Sequence, residues 1–121
     1  MKAVFDTNIL IDYLNGIEAA RKEFGLYQTR QISVITYIEV MVGCKNSGDE
    51  AALRGFLSSF EVIALSPELA KEAIAIRREF RLKIPDAIVY ATARTQGCIL
   101  VSRNTKDLKP EWPDIRVPYQ I

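Results

Sequence analysis

A chain of 121 residues has the length of one domain, and it can bury most of its apolar surface without a disulfide or a structural metal. Hydrophobic residues at 49% and charged residues at 26% give the balance of a soluble globular protein, while 16 basic against 15 acidic side chains leave a net charge of +1, so only the distribution of charge bears on a nucleic-acid partner. The absence of histidine and of any Cys-x-x-Cys pair excludes zinc sites of the usual type and Ser-His or Cys-His catalysis, which leaves carboxylates to carry any chemistry.

In chain order, Lys2 to Asp6 reads as a short buried strand ending in the polar cluster Asp6-Thr7-Asn8. Ile9 to Leu14 reads as a helix stopped by Asn15-Gly16, and Ala19 to Leu26 as a second. Ile32 to Ile35 is β-branched at three of four positions and predicts a strand, followed by a helix over Thr36 to Val42. Asp49 to Phe60 predicts a helix and Glu61 to Leu65 a strand. Ser66-Pro67 is a capping residue followed by proline at the first helical position, and Leu69, Ala73, Ile76 and Phe80 then recur at helical spacing. Pro85 interrupts, and Asp86 opens a helix over Ala87 to Thr95. Cys98 to Ser102 is a fourth strand, and Val117 to Ile121 a short fifth. Cys44 and Cys98 lie in apolar segments and read as buried free thiols. With no signal-peptide pattern and no apolar run of membrane-spanning length, the expected location is the cytoplasm.

Alternating strands and helices predict a parallel sheet covered by helices on both faces, in which ligands bind at the carboxyl ends of the strands. Three acids fall there: Asp6 ends strand one, Glu39 follows strand two, and Asp86 opens the helix leading to strand four. Ser102, Asn104 and Asp107 follow strand four. Each also has a structural explanation. Asp6 or Asp86 would serve as an N-cap, contributing about 1 kcal/mol. Thr36 to Glu39 fits a capping box, and Asn104 and Asp107 are ordinary turn residues. Capping and metal ligation are compatible, because a helix N-terminus stabilises the negative charge that a hard cation requires of its ligands.

Four segments carry a family resemblance. Val4-Phe-Asp6-Thr-Asn8-Ile-Leu-Ile-Asp12-Tyr-Leu14 resembles the opening motif of PIN-domain nucleases, in particular the VapC toxins of toxin–antitoxin pairs. Ser33-Val-Ile-Thr36-Tyr-Ile-Glu39-Val-Met-Val-Gly43 resembles their second motif, Ile84-Pro-Asp86-Ala-Ile-Val-Tyr-Ala91-Thr-Ala93 the third, and Leu100-Val-Ser102-Arg-Asn104-Thr-Lys-Asp107-Leu108 the fourth. They occur in family order across nearly the whole chain. In one departure, Asn104 stands where many members have a fourth acid, with Asp107 the nearest carboxylate.

The resemblance implies one PIN domain over residues 1–121, a three-layer α/β/α sandwich around a mostly parallel sheet of four to five strands. It also implies an Mg²⁺-dependent endoribonuclease, with Mn²⁺ as an alternative ion, acting as the toxin of a type II pair. Asp6 and Asp86 would be metal ligands and Glu39 a further ligand or the group orienting water, with Asn104 or Asp107 completing the site. Thr7, Asn8, Thr36 and Ser102 are candidates to hold the acids by hydrogen bonds. Arg77, Arg78, Arg81, Lys83, Arg103 and Lys106 are candidates for contacting RNA, or else a solvated basic face. The implied partners are RNA, a cognate antitoxin and a second copy in a homodimer, with no membrane. Ile11, Tyr13, Leu14, Tyr37, Met41 and Val42 would supply contact surface if they are not core. Two alternatives stand beside this reading. A phosphatase of the haloacid dehalogenase type also starts from an Asp after strand one, but it wants a second acid two residues on, where Asn8 stands. The other is a catalytically inactive PIN-like module that binds RNA or protein.

Overall fold

The computed structural model describes residues 1–121, and its core is organised by the first strand. Strand β1 (Lys2–Phe5) is central, and the five strands lie in the order β3-β2-β1-β4-β5. Here β2 is Thr29–Ser33, β3 Glu61–Ile63, β4 Ile99–Val101 and β5 Ile115–Arg116. Every pairing is parallel, so the sheet is wholly rather than mostly parallel. The period-two alternation of a strand divides β1 between two cores. Val4 enters one with Leu100 and Ile115, whereas Ala3 and Phe5 enter the other with Ile32 and Val101.

Helices cover both faces. Helices α5 (Pro67–Phe80) and α6 (Ile84–Thr95) pack together over the Val4 face through Leu69, Ala73, Ile76, Val89 and Ala93. Helices α1 (Thr7–Leu14), α2 (Glu18–Phe24), α3 (Val34–Val42) and α4 (Ser47–Leu57) supply Ile9, Leu10, Phe24, Val40 and Leu57 to the Phe5 face. Each such large apolar side chain, once fully buried, contributes about 1.5–3 kcal/mol. Ser66 caps α5 as its sequence predicts, with Oγ accepting from the Leu69 N–H at 3.1 Å.

Four expectations need correction. The second strand begins at Thr29, not Ile32, and Val34-Ile35 already belong to α3, because Ser33 Oγ accepts from the Ile35 N–H at 3.0 Å and starts the helix there. Thr36 is therefore inside α3 rather than its cap, and the capping box over Thr36 to Glu39 does not form. Pro85 does not precede α6 but lies in its first turn, where its missing N–H has no partner to lose, and Asp86 is in that turn rather than at the cap, which is Lys83. The last strand is Ile115–Arg116, ahead of the predicted 117–121, where Pro118 brings no donor to extend a ladder. Cys44 and Cys98 are free but only half-buried. No helix is long and apolar enough to cross a membrane.

Candidate functional site

Strands β2 and β4 flank β1, so successive crossovers leave it in opposite directions and open a crevice at its carboxyl end, the usual ligand position in such sheets. Four stretches of chain meet there. Asp6 follows β1 and caps α1, and Ser102 follows β4. Glu39 projects from the second turn of α3, and Asp86 from the first turn of α6. The resulting cleft, of about 380 Å³, is lined by Asp6, Thr7, Asn8, Asp12, Glu39, Asp86, Arg103 and Asn104, with Ile11 the single apolar contributor.

Asp6 is buried and densely bonded. Its Oδ1 accepts from the Thr7 N–H at 2.8 Å, and its Oδ2 from Ser102 Oγ at 2.7 Å and Asn8 Nδ2 at 3.3 Å. The Asn8 amide also donates to Ser102 Oγ at 3.3 Å. Across the cleft, Thr7 Oγ1 donates to Glu39 Oε1 at 2.6 Å and meets Thr36 Oγ1 at 3.1 Å. Thr7, Asn8, Thr36 and Ser102 thus all contact the acids or their immediate supports.

No ion pair involves Asp6, Glu39, Asp86 or Asp107. The acids respond accordingly. Burial pushes the Asp6 carboxyl above the ordinary range, with the Glu39 charge adding to it and the bonds from Ser102, Thr7 and Asn8 opposing. Asp86 is pushed up to about 6 by its burial and by the charges of Asp6, Asp107 and Glu39, against a smaller pull from Lys83. A group of hard oxygen donors carrying uncompensated negative charge suits Mg²⁺ or Mn²⁺. As the side chains stand, no three acidic or cysteine residues are gathered tightly enough to enclose an ion. Thr7, the first residue of α1, holds both Asp6, through its backbone N–H, and Glu39, through its hydroxyl.

Asn104 lines the cleft, while its side chain engages Asp107. Its Nδ2 donates to Asp107 Oδ2 and its Oδ1 accepts from the Asp107 N–H, both at 3.3 Å. Asp107 is outside the lining, but its charge reaches Asp86.

The family model for the PIN domain matches residues 3–109. The chain belongs to the PIN-domain family. It is 30% identical over 120 residues to the tRNA(fMet)-specific endonuclease VapC of Shigella flexneri, spanning 90% of this chain and 91% of that protein. Among solved structures, a toxin–antitoxin complex from Klebsiella pneumoniae contains a chain 42% identical to this one with a TM-score of 0.92, covering 98% of this chain and 99% of that one. DNA-bound VapBC from Salmonella typhimurium gives 27% identity and a TM-score of 0.79, with 96% of each chain covered.

In this PIN domain the six basic candidates do not form one surface. Arg103 lines the cleft and Lys83 acts on Asp86, but Arg77 and Arg78 border a separate apolar groove of about 270 Å³ between α5 and α6, with Leu65, Ile74, Ile84 and Ile88. Arg77 Nη1 also donates to the Leu82 carbonyl, bracing the turn in which Arg81 adopts the left-handed conformation at φ 58°. Lys106 is exposed. The apolar candidates divide too: Ile11, Tyr13, Leu14 and Val42 are exposed, whereas Tyr37 and Met41 pack against the Phe5 core.

Sequence reasoning assigned no role to Asp12. It is buried beside the cleft, where Arg103 Nε and Nη2 donate to it at 2.6 and 2.8 Å and Tyr119 Oη at 2.8 Å. A signal was present, since Asp12 is the one acid in the otherwise apolar run Ile9 to Leu14 and stands four residues after Asn8, on the same helical face.

Proposed function

We propose that this PIN-domain protein is a divalent-metal-dependent endoribonuclease and the toxin of a VapBC-type pair. The observation that carries the reading is the meeting of Asp6, Glu39 and Asp86 from three separate elements at the carboxyl edge of the sheet, with no cationic side chain paired to any of them. We assign Asp6 and Asp86 to hold Mg²⁺ or Mn²⁺ and Glu39 to hold the same ion or orient water, with Asn104 and Asp107 completing the rim. A bound divalent ion supplies an activated water and the positive charge that a phosphodiester requires as it is hydrolysed. Without that charge the cleft repels the RNA backbone. Thr7 and Ser102 orient Glu39 and Asp6 by donating their hydroxyl protons to the two carboxyls. Lys83 and Lys106 are the basic side chains left to meet RNA near the site, while Arg77 and Arg78 are better placed for a partner on the α5–α6 groove. An antitoxin and a second copy of the chain are the partners we expect, and the likeness to the Klebsiella chain supports the first.

The test is cleavage of total RNA by purified protein with Mg²⁺ or Mn²⁺. Asp6→Asn and Asp86→Asn, which remove charge but keep shape, are expected to lower activity by about a hundredfold or more while circular dichroism stays native. Chelator-resistant cleavage that survives both substitutions would overturn the assignment.

A further inference from the structure

We propose that Asp12 is a positioning residue for the acidic site, acting through Arg103 to hold the segment after β4 against the start of α1. The basic residue that sequence reasoning offered to RNA is committed elsewhere: two of its guanidinium nitrogens are bonded to the buried Asp12. The same residue is held a second time, because the Arg103 backbone N–H donates to Asn8 Oδ1 at 3.1 Å. Asn8 and Asp12 are one helical turn apart, so α1 grips Arg103 by backbone and side chain together.

What that grip fixes is the surroundings of Asp6. Asn8 Nδ2 and Ser102 Oγ both donate to Asp6 Oδ2, and the Asn104 N–H donates to Ser102 Oγ at 3.0 Å. If the guanidinium swings away, Arg103 can lift from Asn8, and Ser102 and Asn104 lose their register with Asp6. Tyr119 adds a third tie from the C-terminal segment through its hydroxyl on Asp12. A fork-shaped guanidinium on a carboxylate is well suited to such a task, since two parallel bonds fix orientation as well as distance. The consequence for metal binding rests on the nuclease reading above; the consequence for the order of the segment does not.

Asp12→Asn in the full chain tests it, with amide hydrogen exchange followed residue by residue in the metal-free protein. Exchange at the Arg103 and Asn104 amides is expected to rise about tenfold or more, as befits loss of a charged hydrogen-bond pair, while amides in the middle of α6 keep their wild-type rates. In the same variant, Mn²⁺ binding is expected to weaken about tenfold, with the cleavage rate at saturating Mn²⁺ recovering to within a few-fold, because bound ion reorders the segment. Unchanged exchange at Arg103 and Asn104, or an equal rise everywhere, would overturn the proposal, and so would faster local exchange with Mn²⁺ affinity intact. If wild-type protein neither binds Mn²⁺ nor cleaves RNA, the nuclease reading fails, and the exchange pattern alone decides whether Asp12 orders the segment. Should Asp12→Asn not fold, Tyr119→Phe removes only the third tie, and the same local pattern is expected at about two- to fivefold. Wild-type exchange in that variant would then count against the proposal.

Discussion

Asp6 caps α1 and Asp12 lies within it, and both are buried, yet their carboxyls shift in opposite directions. Burial acts on each to favour the neutral form. At Asp12 the bonds from Arg103 and Tyr119, with the Arg103 charge, overcome it and hold the carboxyl below the ordinary range. At Asp6 burial prevails, because the bonds come from uncharged donors and the charge of Glu39 adds to the upward shift. The same set of donors, an arginine fork and a tyrosine hydroxyl, meets Glu23 in α2, where Arg116 bonds it at 2.6 and 3.0 Å and Tyr27 at 3.0 Å. The fold therefore compensates Asp12 and Glu23 with arginine and withholds it from Asp6, Glu39 and Asp86 in the cleft. A site that must accept an external cation has to be built that way, since an internal one would occupy it.

The largest expected effect comes from breaking the uncompensated side. Asp6→Asn should lower RNA cleavage on the order of a hundredfold to a thousandfold, the scale for removing one preorganised electrostatic group. It should also leave the thermal midpoint of metal-free protein unchanged or higher, because a buried charge without a cationic partner is removed. A calorimetric scan beside initial-rate measurements checks both. A clear fall in midpoint would mean that Asp6 is compensated after all, and the contrast with Asp12 would collapse.

The compensated side should answer with the other sign. Arg103→Met keeps the aliphatic stem but strands Asp12, and we expect a loss of about 1–3 kcal/mol in urea unfolding, discounted for the partial exposure of the guanidinium. A variant as stable as wild type would show that Asp12 finds water or Tyr119 sufficient.

Acid titration separates the two sets without mutation. With no histidine in the chain, few groups other than the raised acids change charge between pH 5 and 7. The carboxyl of Asp86 titrates near 6 in the folded protein against about 3.9 when unfolded, so between those values the folded state binds more protons and stability falls as pH rises. Metal-free protein is thus expected to melt a few degrees higher at pH 5 than at pH 7. Saturating Mn²⁺ should invert the order, because protons and the ion compete for the same oxygens. Asp12, with a lowered carboxyl, contributes stability that is lost only as pH falls further, through its folded value, and so does not enter this window.

How far the sequence reveals this arrangement depends on which interaction decides each part. The apolar runs of β1 and β4 and the Ser66-Pro67 start of α5 are local features, and they were legible. The second strand was expected over Ile32 to Ile35, but its start at Thr29 was not legible, because Thr29, Arg30 and Gln31 are polar. Gln31 is nonetheless buried, with its amide donating to Gln96 at 3.1 Å, a partner 65 residues away. The acids Asp6, Glu39 and Asp86 were legible from motif and strand-end position. Asp12 and Arg103 were not, since their pairing spans 91 residues and gives a basic residue the opposite of its expected role.

The smallest expected effect concerns Asn104 and Asp107, where the site meets its own support. Asn104 faces the cleft, but its amide is already satisfied by Asp107, so replacing it with Asp sets two carboxylates where an N–H donor now sits at 3.3 Å from Oδ2. Asn104→Asp should therefore lower the metal-free melting point slightly while tightening Mn²⁺ a few-fold, since added negative charge near a hard cation stabilises its bound form. Asp107→Asn works from outside the lining. It keeps an oxygen for Asn104 but removes one of the charges raising Asp86, so the pH dependence between 5 and 7 should shrink while Mn²⁺ affinity falls only slightly. Paired titrations of the two variants decide which residue completes the site. A large loss of Mn²⁺ affinity in Asp107→Asn, with none gained in Asn104→Asp, would move the fourth ligand from the cleft wall to the turn behind it.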